Sequence, residues 1–154
     1  MMLVRLTYFS CNRLERARGQ SAGISEILAR SVANNRRDGV TGAFIYDHQW
    51  FAQEIEGVED AISATFERVL HDRRHADVTL VTMQPVPERR YAGLQMAAIA
   101  RRTDNDDLFQ HYCDGDFEPP AMRPDRIADL IEAVVDRRLR GAQSWTSRRE
   151  AKTA

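Results

Sequence analysis

The sequence is poor in cysteine, has almost no net charge and lacks any long apolar run. Its two cysteines, Cys11 and Cys113, lie too far apart for a CxxC metal motif and are too few for a disulfide framework. The 22 basic and 23 acidic residues leave a formal net charge of -1, so no overall positive field attracts nucleic acid or anionic membrane. No run reaches the roughly 18 apolar residues of a membrane span, and the first residues become polar too early for a signal peptide. We expect a cytoplasmic protein with no metal, nucleic-acid or membrane partner.

The length and composition fit one compact domain with a short appendage. The chain has 154 residues, of which 43% are hydrophobic, enough for a single core and too few for two linked catalytic domains. Changes in pattern along the chain predict a compact domain over residues 1–102, a helical cap over 103–140 and a disordered tail over 141–154.

The order of strand and helix patterns predicts an α+β fold. Alternating apolar residues predict a strand over Leu3–Phe9, and a helical apolar period after Ser21 or Gly23 predicts a helix that ends near Asn35. The runs VTGAFIYD and WFAQEIE predict a hairpin, followed by a helix with Asp60 as its N-cap and by the strands VTLVTMQPV and GLQMAAIA. The order βαββαββ over roughly residues 1–100 is typical of a ferredoxin-like sandwich, in which two helices cover one face of a four- or five-stranded sheet.

The remaining chain has a different character. The stretch from Asp104 to Glu118 contains six acidic residues and no Lys or Arg, and Pro119-Pro120 then interrupts the chain before a helix that begins near Pro124. We expect the apolar stripe of this helix to cap the open sheet face or a neighbouring subunit. The stripe consists of Ile127, Leu130, Ile131, Val134, Val135 and Leu139.

Two polar side chains are expected on apolar strand faces. By the strand period, Gln53 lies between Phe51 and Ile55, and an unpaired buried amide would cost about 1–3 kcal/mol. Tyr8 lies on the inward face of the first strand, and the nearest acceptor for its hydroxyl could be Gln53. Backbone hydrogen bonding of Gln53 and simple packing of Tyr8 are the alternatives. Neither side chain titrates near neutral pH, which argues against hydrolytic chemistry.

The end of the first helix is also polar on its inward side. Ser31 and Asn35 occupy positions where the helical period would place apolar residues, and Asn34 lies beside this stripe. Three small polar groups beside a buried glutamine suit a planar ligand with amide-type donors and acceptors. A helix C-cap is the alternative explanation for either asparagine.

The second helix and the loop after it carry charged residues off the apolar stripe. Arg68 and Asp72 are spaced i, i+4 and predict an exposed ion pair worth a few tenths of a kcal/mol. Arg73, Arg74 and His75 form a basic cluster that could meet a phosphate, with a solvated loop as the alternative.

Together these residues resemble the BLUF family, the blue-light sensors that bind flavin adenine dinucleotide (FAD). The resemblance runs from about Leu3 to about Ile99. It rests on Tyr8, on SVANN at the end of the first helix, on DGVTGAFIYD and FAQEIEG in the hairpin, and on FERVLHDRRH at the end of the second helix. The resemblance implies a ferredoxin-like fold, FAD as cofactor, a photochemical reaction and no substrate turnover.

The resemblance assigns a role to each of these residues. It implies that Tyr8 is the photochemical electron and proton donor and that Gln53 lies between Tyr8 and the flavin ring, switching its hydrogen bonds after light. It implies a flavin held between the two helices by Tyr8, Ser31, Asn34, Asn35, Gln53, Arg68, Asp72, Arg74 and His75. Met96 matches the strand methionine of the family, and by the strand period it shares a face with Leu94 and Ala98. Leu94 stands where many members have tryptophan, so we expect Met96 and Gln53 to transmit the change.

Three classes of function remain distinct at this point. A photoreceptor would pass its signal to a separate effector protein, since little chain follows residue 140, and we expect a homodimer or a larger ring. A ferredoxin-like RNA-binding module is the second class, because VTGAFIY resembles an aromatic RNA-binding strand. A small enzyme is the third, either a flavin oxidoreductase, for which no nicotinamide site is evident, or an acylphosphatase-like hydrolase with an anion-binding loop around Arg13, Arg16 and Arg18.

Overall fold

The computed structural model describes the backbone of residues 2–14 and 20–153 and the side chains of residues 2–14 and 23–142. Within these ranges the chain forms five strands and four α-helices in the order βαββαββαα. They are β1 Leu3–Asn12, α1 Gln20–Asp38, β2 Thr41–Tyr46, β3 Trp50–Val58, α2 Glu59–Leu70, β4 His75–Pro85, β5 Ala97–Ala100, α3 Asp106–Tyr112 and α4 Pro124–Thr153.

All five strands belong to one mixed sheet in the order β4-β1-β3-β2-β5. β1 pairs antiparallel with both β3 and β4, β2 and β3 form the predicted hairpin, and β5 runs parallel to β2. The predicted α+β ferredoxin-like sandwich is therefore confirmed. Its connectivity places β1 and β3, the strands of Tyr8 and Gln53, side by side in the middle of the sheet.

The two helices α1 and α2 cover one face of the sheet. Val4 of β1 and Ile55 of β3 pack in one buried cluster with Ile62 of α2, and Phe44 of β2 packs in another with Ile27 of α1. Alternation along the strands directs these apolar side chains to the same face as Tyr8 and Gln53. The space between the two clusters is where a ligand can enter.

Helix α4 covers the opposite face of the sheet. Its first five stripe residues are buried and pack in one cluster with Ile45 of β2 and Ala52 of β3. Leu139, the last residue of the stripe, is 42% exposed and lies outside this cluster. Of the two places predicted for the stripe, the sheet of the same chain is therefore the one it occupies.

The C-terminal segment contains one helix that the sequence pattern did not single out and one that is longer than predicted. The acidic stretch contains the short helix α3, whose Phe109 is fully buried, although charged and polar residues around it hid the apolar signal. α4 continues to Thr153, which corrects the disordered tail predicted from residue 141. The residues after Gly141 include Ala, Gln, Arg, Glu and Lys, which favour the helix without any apolar period.

Several element boundaries differ from the predicted ones for local reasons. α1 extends three residues beyond Asn35 and stops before Gly39, whose φ of 68° ends the helix. β1 continues to Asn12 because strands on both sides pair with its polar end. The N-cap of α2 is Val58 without a side-chain hydrogen bond, whereas Asp60 lies in the first turn, where a carboxylate favours the helix dipole.

The last strand is shorter than predicted and this changes one side-chain assignment. β5 begins only at Ala97, so strand alternation does not determine which face the side chains of residues 93–96 occupy. Leu94 packs against the α4 cluster, while Met96 and Ala98 pack on the α1 side. The expectation that Leu94 shares a face with Met96 is therefore wrong.

Two further observations concern expectations drawn from composition. In the part of the chain that the structure describes, no helix is long and apolar enough to cross a membrane. Cys11 and Cys113 are both free thiols, and Cys113 is buried.

Candidate functional site

A cavity of about 540 Å³ lies between α1 and α2 over the sheet. Its size is typical of a small-molecule or cofactor site. All ten residues that the sequence singled out for binding or relay line this one cavity, and they are Tyr8, Ser31, Asn34, Asn35, Gln53, Arg68, Asp72, Arg74, His75 and Met96. Residues distant along the chain are thus brought together by the topology of the sheet.

Tyr8 and Gln53 are direct neighbours across the β1–β3 pair. The Tyr8 hydroxyl donates a hydrogen bond to Oε1 of Gln53, which is the contact suggested by their shared face. Tyr8 is 1% exposed and Gln53 9%. Burial, and to a smaller extent the Asp72 carboxylate, raises the pKa of Tyr8, so the phenol remains protonated over the physiological range.

The other end of the Gln53 amide faces Met96. Nε2 of Gln53 donates to the Met96 thioether sulfur over 3.3 Å. Sulfur of this kind is a weak acceptor, so this bond is easier to give up than an amide–carbonyl bond. The three side chains form a continuous hydrogen-bonded chain, with Tyr8 as donor, the amide in the middle and Met96 as acceptor.

The last turns of α1 provide polar groups along one wall. Asn35 is 2% exposed and its Nδ2 donates to the backbone carbonyl of Gln95, immediately before Met96. Within the described side chains, Ser31 and Asn34 make no hydrogen bond to protein, although both line the cavity. The C-cap explanation for the asparagines is wrong, because the helix continues to Asp38.

The predicted Arg68–Asp72 ion pair is not formed. Arg68 instead donates to Asp38 at 2.9 Å and to the Thr65 hydroxyl at 3.0 Å. Asp72 lies beyond the end of α2 at Leu70, so the i, i+4 spacing no longer places its carboxylate next to Arg68.

Asp72 binds Arg74, the second residue after it. The Arg74 guanidinium approaches the carboxylate to 2.7 Å, and the Arg74 backbone N–H donates to the same group at 3.0 Å. Burial would raise the pKa of Asp72, but the hydrogen bonds and charge of Arg74 outweigh it and hold that pKa below its usual value. Arg74 of the predicted basic cluster is therefore paired with a carboxylate rather than free.

His75 is a partly buried, uncharged member of the site. Its Nδ1 lies 2.7 Å from the Ser10 hydroxyl, and its ring centroid lies 4.9 Å from that of Phe51 and 6.2 Å from that of Tyr8. Burial lowers the pKa of His75 to about 4, even though the Asp72 carboxylate acts in the opposite direction. The predicted cationic role of His75 is corrected to that of a neutral wall residue at physiological pH.

Apolar residues that the sequence did not assign to the site complete its walls. Ile27 of α1 and Val69 of α2 line the cavity from two sides, and Phe44 and Phe51 line it from the sheet. The same inward periodicity that predicted core positions could have identified them, but periodicity does not distinguish a core residue from a cavity wall.

The residues around the cavity fit a flavin. Apolar walls on opposite helices suit a planar ring, and the unpartnered Ser31 and Asn34 with the Gln53 amide supply the donors and acceptors that a ring edge with carbonyl and N–H groups requires. The exposed guanidinium groups of Arg30 and Arg73 at the rim suit phosphate groups. Over the described residues, no group of three His, Cys, Asp or Glu side chains is arranged to hold a metal ion.

Comparison with known proteins gives matches in sequence. A family model described as BLUF, sensors of blue light using FAD, matches residues 3–97. Subunit beta of the photoactivated adenylate cyclase of Euglena gracilis is 34% identical over 89 residues, which are 58% of this chain and 10% of the cyclase. The chain thus spans about a tenth of the length of the curated cyclases it matches.

Solved structures share the fold over most of the chain. The dark-state structure of BlrB, described as a BLUF protein, has a TM-score of 0.71 at 28% identity and covers 86% of this chain and 96% of BlrB. The photo-activated state of BlsA has a TM-score of 0.79 at 22% identity and covers 86% of this chain and 94% of BlsA. Both the sheet with its two helices and the C-terminal part are therefore included in the similarity.

Proposed function

The chain belongs to the BLUF family, the sensors of blue light using FAD, and from this we propose that the hydrogen-bonded chain of Tyr8, Gln53 and Met96 is its light-operated switch. The family match spans residues 3–97, which include every residue that lines the cavity. The observation that carries the proposal is the buried hydrogen bond from Tyr8 to Gln53 inside that cavity.

FAD, when bound, supplies the blue-light absorption and accepts the electron and the proton that Tyr8 releases. Tyr8 is suited to release both together, because its raised pKa prevents loss of the proton alone. Its hydroxyl donates a hydrogen bond to Oε1 of Gln53 and is buried from water, so the proton leaves through this amide. Return of one electron and one proton restores the phenol, and no substrate is consumed.

The orientation of the Gln53 side-chain amide stores the result of the light reaction. An amide has an accepting end and a donating end, and a half-turn about its terminal bond exchanges them. In the structure the accepting end faces Tyr8 and the donating end faces Met96. After exchange, Nε2 would face the Tyr8 oxygen and Oε1 would face the Met96 sulfur. The amide therefore has two states that differ in their partners, as a two-state switch requires.

The test is an absorption spectrum of the purified protein in the dark and seconds after blue light. Wild type is expected to be yellow and to shift reversibly to longer wavelength. Gln53→Leu is expected to bind flavin and lose the shift, while Gln84→Leu, the same change at an exposed position of β4, keeps it. Flavin binding without a shift in wild type, or a normal shift in Gln53→Leu, contradicts the proposal.

The output and the assembly are further parts of the proposal. We propose that the lit state acts on a separate effector protein in the cytoplasm, that the chain is not itself an enzyme, and that it forms a homo-oligomer. Support for an effector comes from the relatives named photoactivated cyclases, in which the matched part is about a tenth of the protein. Sedimentation of the purified chain in darkness and under blue light measures its mass in both states. A monomer in both states contradicts the oligomer.

The structure argues against the RNA-binding alternative. An RNA-binding strand needs exposed aromatic residues, but Phe44 is 4% exposed and faces the cavity. Of the arginines considered for an acylphosphatase-like loop, Arg16 and Arg18 lie outside the described residues.

A further inference from the structure

The strand that carries Gln53 also carries two buried carboxylates on its other face. Glu54 is 1% exposed and Glu56 is fully buried, beneath the layer formed by α4. Buried carboxylates are stable only when donors surround them. The identity of those donors shows what these two residues hold in place.

Glu54 binds a tyrosine of the connection between β4 and β5. One carboxylate oxygen accepts the Tyr91 hydroxyl at 2.6 Å and the Arg90 guanidinium at 3.3 Å, and the other accepts the Thr7 hydroxyl at 2.8 Å. Burial first, and then the Glu54 carboxylate, raises the pKa of Tyr91, so its hydroxyl remains a donor. The bond is short and buried.

Glu56 binds the backbone of the same connection. Its two oxygens accept the N–H groups of Arg90 and Tyr91, each at 2.7 Å, and Arg5 adds two guanidinium bonds at 2.8 and 3.0 Å. β3 therefore fixes residues 90 and 91 through main-chain and side-chain bonds together. These bonds also restrict the positions that the rest of the connection between β4 and β5 can take.

Five residues after Tyr91, the same connection reaches the cavity. Met96 accepts the Gln53 amide N–H at 3.3 Å, and the Gln95 carbonyl accepts the Asn35 side chain. Consecutive residues of β3 thus hold the two ends of one segment, with Gln53 on the cavity side and Glu54 on the cap side. We name residues 88–96 the connecting segment.

The cap-side end of the connecting segment also contacts α4. Nε of Arg90 lies 3.4 Å from a Glu132 carboxylate oxygen of α4. The ring of Tyr91 belongs to the same buried cluster as Leu130 and Val134 of α4. The segment is therefore in contact with the cavity at one end and with α4 at the other.

We propose that Tyr91 and Arg90 couple the cavity to α4, so that a change in the hydrogen bonds of Gln53 is transmitted through the connecting segment to this helix. This rests on the proposed function. Coupling of this kind requires an element whose arrangement both ends influence, and it acts equally in both directions. Tyr91 and Arg90 are positioning residues, since neither lines the cavity.

The experiment compares the full-length protein with the variants Tyr91→Phe and Glu132→Gln. Tyr91→Phe keeps the ring and removes the bond to Glu54, and Glu132→Gln removes the charge that faces Arg90. The matched controls are Tyr112→Phe, a tyrosine packed against the same cluster from α3, and Arg137→Gln, which breaks the ion pair of α4 with Asp107. Hydrogen exchange of residues 124–142 and the absorption shift are measured on the same samples, in darkness and under blue light.

The absorption shift and the hydrogen exchange of α4 are expected to respond differently to the test variants. Both test variants keep the absorption shift, while the light-induced change in exchange of α4 falls by about half or more; the controls keep both. The proposal is overturned if both test variants retain the full change in α4, or if wild type shifts its absorption without any change in α4.

Hydrogen exchange measured in darkness tests the coupling between α4 and the connecting segment independently of the photocycle. The N–H groups of Tyr91 and Leu94 are hydrogen-bonded within the connecting segment and its anchor. If α4 and this segment are coupled, Glu132→Gln raises the exchange of these amides more than Arg137→Gln does. Equal exchange overturns the coupling, whereas a missing absorption shift in wild type overturns only the proposed function.

Discussion

Tyr8 differs from phenylalanine by one hydroxyl, and among the described residues that hydroxyl makes one hydrogen bond, to Oε1 of Gln53. The ring itself packs against Phe66 of α2 and is part of the core of β1. The structural and chemical contributions of Tyr8 can therefore be separated by a change that removes the hydroxyl and leaves the ring.

Tyr8→Phe is expected to fold, to bind flavin and to lose the light-induced shift. Removing the hydroxyl leaves the buried Oε1 of Gln53 without this donor, which costs about 1–3 kcal/mol of unfolding free energy. Tyr46→Phe is the control, because Tyr46 packs beside the site without lining the cavity. Denaturant unfolding and difference spectra measure the two effects, and a normal shift in Tyr8→Phe would contradict the assigned role.

His75 predicts a specific dependence of stability on pH. Its pKa is about 4 in the folded protein because of burial, against about 6.5 in an unfolded chain. Between these values the unfolded chain binds a proton that the folded protein does not. Its stabilising contribution is therefore complete above about pH 6.5 and is lost as the pH falls towards 4, with a slope of up to about 1.4 kcal/mol per pH unit.

His75→Gln is expected to flatten this part of the stability curve, whereas His48→Gln, at an exposed position, leaves it unchanged. Denaturant unfolding at intervals between pH 4 and 7 gives the slope. Equal slopes in wild type and His75→Gln would show that His75 is not held neutral in the folded protein.

At the scale of elements, the end of α1 and the middle of α4 contain glycines with opposite requirements. Gly39 has a φ of 68°, in the left-handed region, whereas Gly141 lies in the helical backbone of α4. Apart from the chain neighbours and the nearby backbone of the helix itself, an added Cβ would meet no atom of the described residues within 4 Å at either position. Substitution therefore reports backbone conformation alone.

Gly39→Ala is expected to destabilise the protein by about 1 kcal/mol, because alanine disfavours positive φ. Gly141→Ala is expected to stabilise α4 by up to about 1 kcal/mol, because alanine has the higher helix propensity. Thermal unfolding gives the Tm of both variants, and a change of Tm with the same sign in both would contradict the backbone explanation.

The order of elements and the central site residues were predictable from the sequence, and some local features were not. Strand alternation placed Tyr8 and Gln53 on one face because both lie within long, regular strands. Leu94 was misplaced because the residues before β5 leave the strand pattern, which alternation cannot reveal. The prediction of an Arg68–Asp72 ion pair was wrong because α2 ends at Leu70, between the two residues. The roles of Glu54 and Tyr91 depend on contacts 37 residues apart, for which the sequence carries no periodic signal.

At the scale of the whole molecule, α4 is part of the core rather than an attached extension. Leu130→Ala is expected to cost about 2–5 kcal/mol, since Leu130 is fully buried between the helix and the sheet. Leu139→Ala, at the exposed end of the same stripe, is expected to cost less than about 1 kcal/mol. Denaturant midpoints of the two variants test this, and similar losses would mean that the helix is not packed as described.

The position of β1 between β3 and β4 also governs when the site forms. The hairpin β2–β3 is local, but Tyr8 and Gln53 are 45 residues apart, and Gln53 and Met96 are 43 residues apart. Pairings of this kind close large loops and form slowly compared with local contacts. The cavity is therefore complete only once β1 has been inserted between β3 and β4, so the yellow colour of bound cofactor marks a chain that has finished folding.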